Sequence, residues 1–232
     1  MKLAISGTYS TGKTTTSYAL SYLTGIPRTH ARTMREILPE ALPGKRLEDC
    51  RPAELIQLGI RRLTERVLHE SKLPEGYISD GSSLHEWIYG KVRMQVGIAP
   101  IGEDPNPPER DSSMVLFEEV IDNMGAVMKD HAKKSYDYFI HLPVEFPLVE
   151  DGHRPVSEYF RKMSDDLLIN TLNELGIPYT VVGGSIPERL DRIVQLFNLP
   201  KRMSSEAAID RAYSDIAQLN LKDERERVAS TI

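Results

Sequence analysis

The sequence predicts an α/β fold in which a parallel sheet carries helices on both faces. Two observations lead there. Short apolar runs alternate with longer amphipathic stretches through residue 198, the order that a parallel sheet requires. A small-residue loop, residues 7–12, separates the first apolar run from the first amphipathic one. The chain has 232 residues, 40% hydrophobic and 27% charged, which is enough to bury a core without staples. Cys50 is the only cysteine, so no intrachain disulfide and no cysteine-based zinc site can form. No apolar run approaches the roughly 18 residues of a membrane span. The apolar stretch after Met1 is too short for a signal peptide, so a cytoplasmic location is expected. The net charge of −5 argues against a broad nucleic-acid surface.

The elements follow in order. Residues 2–6 read as a buried strand that stops at Gly7. Residues 14–24 read as a helix, with Gly25 as its C-cap and Pro27 just beyond. A second short strand falls around residues 28–30, followed by a helical segment up to Pro39. Pro52–Ser71 repeats Leu55, Leu58, Leu63, Val67 and Leu68 at helical spacing. Residues 77–79 form a strand ending at Asp80-Gly81, and residues 84–96 a helix. Pro100, Gly102, Pro105, Pro107 and Pro108 make 97–111 a loop. A helix over 115–133, a strand over 136–142 and a polar turn over 150–154 come next. A helix over 157–175, a last strand over 179–182 and a helix over 187–197 complete the core. The division expected is a core, 1–198, and a helical extension, 199–232. In the extension, residues 204–219 read as a helix before a charged tail. Its stripe of Ala207, Ile209, Ala212, Tyr213 and Ile216 suits packing on its own domain or in a homodimer.

Gly7-Thr8-Tyr9-Ser10-Thr11-Gly12-Lys13-Thr14 matches G-x-x-x-x-G-K-[ST] at every defined position, between a strand and a helix. Glycines let backbone N–H groups turn inward around phosphate oxygens, and the helix adds its positive end. Gly7, Thr8, Ser10, Thr11, Gly12, Lys13, Thr14 and Thr15 are therefore expected around a nucleoside triphosphate, ATP, with Lys13 on its β- and γ-phosphates. The Thr14 hydroxyl is a ligand for Mg²⁺.

Three classes use such a loop. A GTPase switch would carry N-K-x-D after a strand, and no such stretch occurs. A mechanical NTPase would end an apolar run in Asp-Glu, and neither residues 77–80 nor 136–142 do so. A kinase needs an acidic residue at a strand end and an arginine-bearing lid. Asp80 fits the first need, as base or Mg²⁺-orienting group. The segment 149–162 fits the second, with Arg154 and Arg161 directed at the triphosphate.

The chain resembles the P-loop kinases related to the ribosylnicotinamide kinase domain of the bacterial NadR regulator, a group often catalogued as AAA-type ATP-binding domains. The likeness rests on residues 7–14, His30-Ala31-Arg32, Ser79-Asp80, Asp151-Gly152-His153-Arg154 and Leu175-Gly176-Ile177-Pro178-Tyr179, over roughly residues 1–198. It implies a five-stranded sheet ordered 2-3-1-4-5, ATP on the phosphate loop, Asp80 near the acceptor hydroxyl and Arg154 in the lid. The sequence departs from NadR in lacking its nucleotidyltransferase and DNA-binding modules, and its loop 97–111 is long and proline-rich.

The acceptor side is expected between the second-strand end and the Asp80 turn. His30, Arg32, Arg35, His85 and Trp87 are its candidate residues. Arg32 and Arg35, three apart, would share a helical face suited to an anion, and Trp87 offers a stacking surface. The reaction expected is transfer of the γ-phosphate to a hydroxyl of a small metabolite, a nucleoside or a nucleoside-like compound. A partner-coupled NTPase, an antibiotic-modifying phosphotransferase and a kinase of modified nucleotides in DNA are the alternatives. The acidic charge and the absence of a Lys/Arg run disfavour the last.

Overall fold

The computed structural model describes residues 1–29, 31–97, 107–148 and 157–229; for Arg35, Glu48 and residues 220–229 only the backbone is described. Five parallel strands, β1 (Lys2–Ser6), β2 (Arg28–Thr29), β3 (Tyr77–Asp80), β4 (Tyr138–His141) and β5 (Tyr179–Val181), form one sheet in the order β2-β3-β1-β4-β5. This is the order the kinase resemblance implies. The central strand β1 is covered on both faces, so it reads as an unbroken apolar run, and Leu3, Ala4 and Ile5 are fully buried. Register places Ile5 beside Asp80 on one side and Ser6 beside His141 on the other. The carboxyl ends of β1, β3 and β4 therefore meet at one rim, where such sheets hold their ligands.

Eight helices flank the sheet: α1 (Lys13–Thr24), α2 (Met34–Ala41), α3 (Pro52–Ser71), α4 (Ser83–Val96), α5 (Ser112–Ser135), α6 (Glu158–Leu175), α7 (Ile186–Phe197) and α8 (Ser205–Ala229). Side chains alternate across the strands, which splits the core in two. Ala4, Tyr77 and Phe139 pack with α4, α5 and α6. Ile5, Ile78 and Ile140 pack with α1, α7 and α8.

Differences from the sequence reading have local causes. α5 starts at Ser112, ahead of its first apolar residues, because the Asp111 side chain accepts from the Met114 N–H at 2.8 Å and caps the helix. α2 runs past Pro39, whose ring removes a single bond near the helix end. α8 does not stop at residue 219 but continues to Ala229. The charged stretch 222–227 consists largely of Lys, Glu and Arg, which are strong helix formers. The packed stripe of α8 also differs from expectation: Ala208 and Ala212 are fully buried, whereas Tyr213 is 54% exposed. Small side chains let α8 approach α1 closely, and Tyr22 of α1 donates to Asp215. No helix among the described residues is long and apolar enough to cross a membrane.

Candidate active site

β1 ends at Ser6 and the chain turns at Gly7 with φ 133°, followed by Ser10 at φ 57° and Gly12 at φ 86°. Glycine is required at the first of these. A Cβ on Gly7 would stand 2.6 Å from the Leu142 carbonyl oxygen. Positive φ values turn successive N–H groups toward a shared concavity. The first intrahelical bond of α1 runs from Thr16 N–H to the Gly12 carbonyl at 2.9 Å. The N–H groups ahead of it have no acceptor within the helix, whose N-terminal end carries the positive partial charge. Thr14 is exposed at this end, with Thr15 half-buried behind it.

The carbonyls of the loop are held by side chains. Lys13 Nζ donates to the Thr8 carbonyl, and Thr11 Oγ1 does so at 3.0 Å. His85 Nε2 lies 2.9 Å from the Gly7 carbonyl. Arg189 Nη1 donates to the Thr11 carbonyl at 2.5 Å. In a trans peptide the C=O and the following N–H point opposite ways. Each anchored carbonyl thus fixes the direction of the next N–H.

Asp80 closes β3 beside the loop. Its backbone carbonyl accepts from Arg66 Nη2 at 3.3 Å, and the Gly81 N–H donates to the Ile5 carbonyl at 2.9 Å. Among the described residues its carboxylate forms no ion pair. Arg66 is buried and donates to Ser79 Oγ at 2.8 Å, with Glu70 and Glu86 each 3.8 Å away. A buried guanidinium thus anchors the strand end through its backbone, and the Asp80 side chain is half-buried. No cluster of three or more metal-ligating side chains occurs among the described residues. A hydroxyl and a carboxylate, Thr14 and Asp80, fit Mg²⁺, which keeps several waters and takes its other ligands from phosphates.

The remaining expected residues divide. His85 is 4% exposed, so it does not line an acceptor pocket. Burial first, then the Lys13 and Arg66 charges, push its pKa well below the ordinary value of 6.5. Trp87 turns away from the loop: its ring packs on Gly125 of α5 and under Lys129, 4.3 Å from the ring centre. That is a core position, and no acceptor can stack there. Arg32 precedes the Thr33 N-cap of α2, so it shares no helical face with Arg35. Its guanidinium is held by Glu65 and, at 2.7 Å, by Glu40. Two carboxylates thus occupy the charge expected to meet an anionic group. Arg161 is 1% exposed. It donates to the Phe146 carbonyl at 2.6 Å and pairs with Glu158 at 3.1 Å. Buried on the inner side of α6, it ties that helix to the chain at Phe146 and is not a cation directed at the triphosphate. His30, Arg154 and the Arg35 side chain lie outside the described residues.

A family model described as an AAA domain matches residues 2–189. The chain belongs to that family. No curated protein matches the sequence. Among solved structures, deoxyadenosine kinase from M. mycoides with bound dATP is similar at TM-score 0.60 and 20% identity, over 85% of this chain and 100% of that one. The same enzyme with bound dCTP is similar at TM-score 0.55 and 18% identity, over 85% and 99% of the two chains. With the products dCMP and dCDP it is similar at TM-score 0.54 and 18% identity, over the same shares. At such identity the likeness shows the fold alone, an α/β P-loop fold.

Sequence reasoning missed Arg189 and Glu145. Arg189 is fully buried, its guanidinium 4.6 Å from the Phe146 ring centre and 2.9 Å from Glu145 Oε2. Glu145 Oε2 also accepts from the Gly184 N–H at 2.7 Å, which joins the chain after β4 to the chain after β5. The one signal was a cation beside Leu190 and Ile193 on an apolar helix face.

Proposed function

We propose that this AAA-domain chain is an ATP- and Mg²⁺-dependent kinase that transfers the γ-phosphoryl group to a hydroxyl of a nucleoside or nucleoside-like compound. The observation that carries the reading is the juxtaposition of the phosphate loop with Asp80. The two lie at the ends of adjacent strands, with Ile5 and Asp80 in register. The loop N–H groups and the α1 terminus bind the phosphates. Lys13, now folded on the Thr8 carbonyl, moves its ammonium to the β- and γ-phosphates when a nucleotide arrives. Thr14 and Asp80 would hold Mg²⁺, which would supply neutralisation of the phosphate charge. Asp80 orients the acceptor hydroxyl and accepts its proton as the oxygen attacks phosphorus. The loop donors stabilise the charge that builds on the transferring group. Arg154 is assigned to a lid that excludes water. Likeness to a deoxyadenosine kinase supports a nucleoside-type acceptor.

The test is a screen of nucleosides and deoxynucleosides, nicotinamide riboside included, for ATP-dependent gain of one phosphate by mass. Lys13→Ala abolishes transfer. Asp80→Asn keeps ATP binding and loses transfer by about 10²–10⁴-fold. Normal turnover in Asp80→Asn sinks the assigned role. ATP consumption that responds to a macromolecule and to no hydroxylated compound replaces the kinase with a partner-coupled NTPase.

A further inference from the structure

His85 is bonded at both ring nitrogens, and the two bonds fix its protonation. The Ser82 backbone N–H lies 3.0 Å from Nδ1. A backbone N–H only donates and a carbonyl only accepts, so the shorter contacts, to the Ser82 N–H and the Gly7 carbonyl, place the ring proton on Nε2 against the longer 3.3 Å approach of Nδ1 to the Ser82 carbonyl. Nε2–H then donates to the Gly7 carbonyl at 2.9 Å. His85 is the third residue of α4, and with Ser82 it closes the cap of that helix. Ser82 in turn lies two residues beyond Asp80. One buried ring therefore joins the first peptide of the phosphate loop to the turn that follows the acidic strand end.

We propose that His85 is a positioning residue that holds the Gly7–Thr8 peptide, and with it the start of the phosphate loop, and couples that peptide to the Asp80 turn. The inference rests on reading the loop as a nucleotide site. The carbonyl belongs to a rigid trans peptide plane, so releasing it lets the plane rotate and shifts the loop residues that follow and bind the phosphates. The geometry is one-way. Gly7 reaches its φ of 133° only because it is glycine, and that same freedom leaves the peptide in need of an external tether.

Two substitutions separate the two bonds. The Asn amide oxygen mimics Nδ1, so His85→Asn keeps the helix cap and loses the Gly7 bond. The Gln amide nitrogen mimics Nε2, so His85→Gln keeps the Gly7 bond and loses the cap. Mg²⁺-ATP affinity is measured by calorimetry and thermal stability by melting. His85→Asn is expected to bind ATP about tenfold more weakly with little change in Tm, the scale of one lost hydrogen bond. His85→Gln is expected to melt earlier and bind ATP within about twofold of the unchanged protein. A merely structural histidine predicts the reverse order, with affinity following Tm. His85→Asn binding ATP with full affinity, or His85→Gln binding less tightly than His85→Asn, overturns the proposal. Imidazole ¹⁵N resonances of the unmutated protein give a check that no folding defect can obscure: a proton on Nδ1 in place of Nε2 overturns it as well. A chain that binds ATP as described yet phosphorylates no nucleoside loses the kinase reading and keeps this one.

Discussion

Arg189 has no exposed surface, whereas the side chain of its partner Glu145 is 41% exposed. The two halves of this pair are therefore unequal. Removing the carboxylate strands a buried guanidinium, and removing the guanidinium leaves a carboxylate that water can reach. Glu145→Ala is expected to cost about 3 kcal/mol or more, and Arg189→Met less, because the Met fills the vacated volume. Urea denaturation of the two variants checks the order. ATP affinity should fall in Arg189→Met even so, since the Thr11 carbonyl loses its donor. None of this is legible from residue types. Gly7, Gly12, Lys13 and Thr14 announce themselves because phosphate binding imposes a local spacing, whereas Arg189 lies 178 positions from the carbonyl it holds.

α4 and α5 meet at two glycines that differ in tolerance. A Cβ on Gly125 would stand 2.5 Å from Trp87 Nε1 and under 3 Å from two more indole atoms. A Cβ on Gly90 would meet the Ile121 Cδ1 at 2.8 Å, the free end of a side chain that can swing aside. Gly125→Ala is expected to destabilise by about 1–3 kcal/mol. Gly90→Ala is expected to cost less, offset by a helix-propensity gain of up to about 1 kcal/mol. Trp87 is the only tryptophan, so its fluorescence follows both unfolding curves.

The first turn of α4 and the C-terminal end of α5 carry the acid response. Burial lowers His85, beside Lys13 and Arg66. It also lowers His131, where Arg66 adds to the effect while Glu70 and Asp130 oppose it. Below the ordinary histidine value of 6.5, the unfolded chain takes up protons that the folded one refuses. Stability contributed by the neutral rings is thus present above that pH and declines as pH falls beneath it. Melting points between pH 7.5 and 5 should drop toward acid, and His85→Asn with His131→Asn should flatten the slope. A slope unchanged in the double variant assigns the acid response to other groups.

Across the molecule, α8 lies on the helix that begins the phosphate site. Ala208 and Ala212 are fully buried there, the Arg202 N–H donates to the Leu23 carbonyl at 2.7 Å, and Arg211 sits 4.3 Å from the Tyr22 ring centre. Ala212→Glu forces a charge into this contact and is expected to cost about 3–5 kcal/mol. Ala207→Glu, on the exposed side, should stay within about 0.5 kcal/mol. Urea midpoints of the two variants check it. The amino-acid order alone was sufficient for the alternating α/β plan, the phosphate loop and the acidic end of β3, because periodicity, turn chemistry and phosphate cradles are properties of neighbours in the chain. The partners of His85, Arg32, Arg161 and Trp87 came from folding. Each of those side chains is of a type that serves equally in a cleft or a core, and the choice depended on groups far along the chain: the Gly7 carbonyl for His85, Glu65 for Arg32, the Phe146 carbonyl for Arg161 and Gly125 for Trp87. Burial and pairing, not residue type, turned three expected ligand contacts into supports: His85 beneath the phosphate loop, Arg161 between α6 and the chain at Phe146, and Trp87 between α4 and α5.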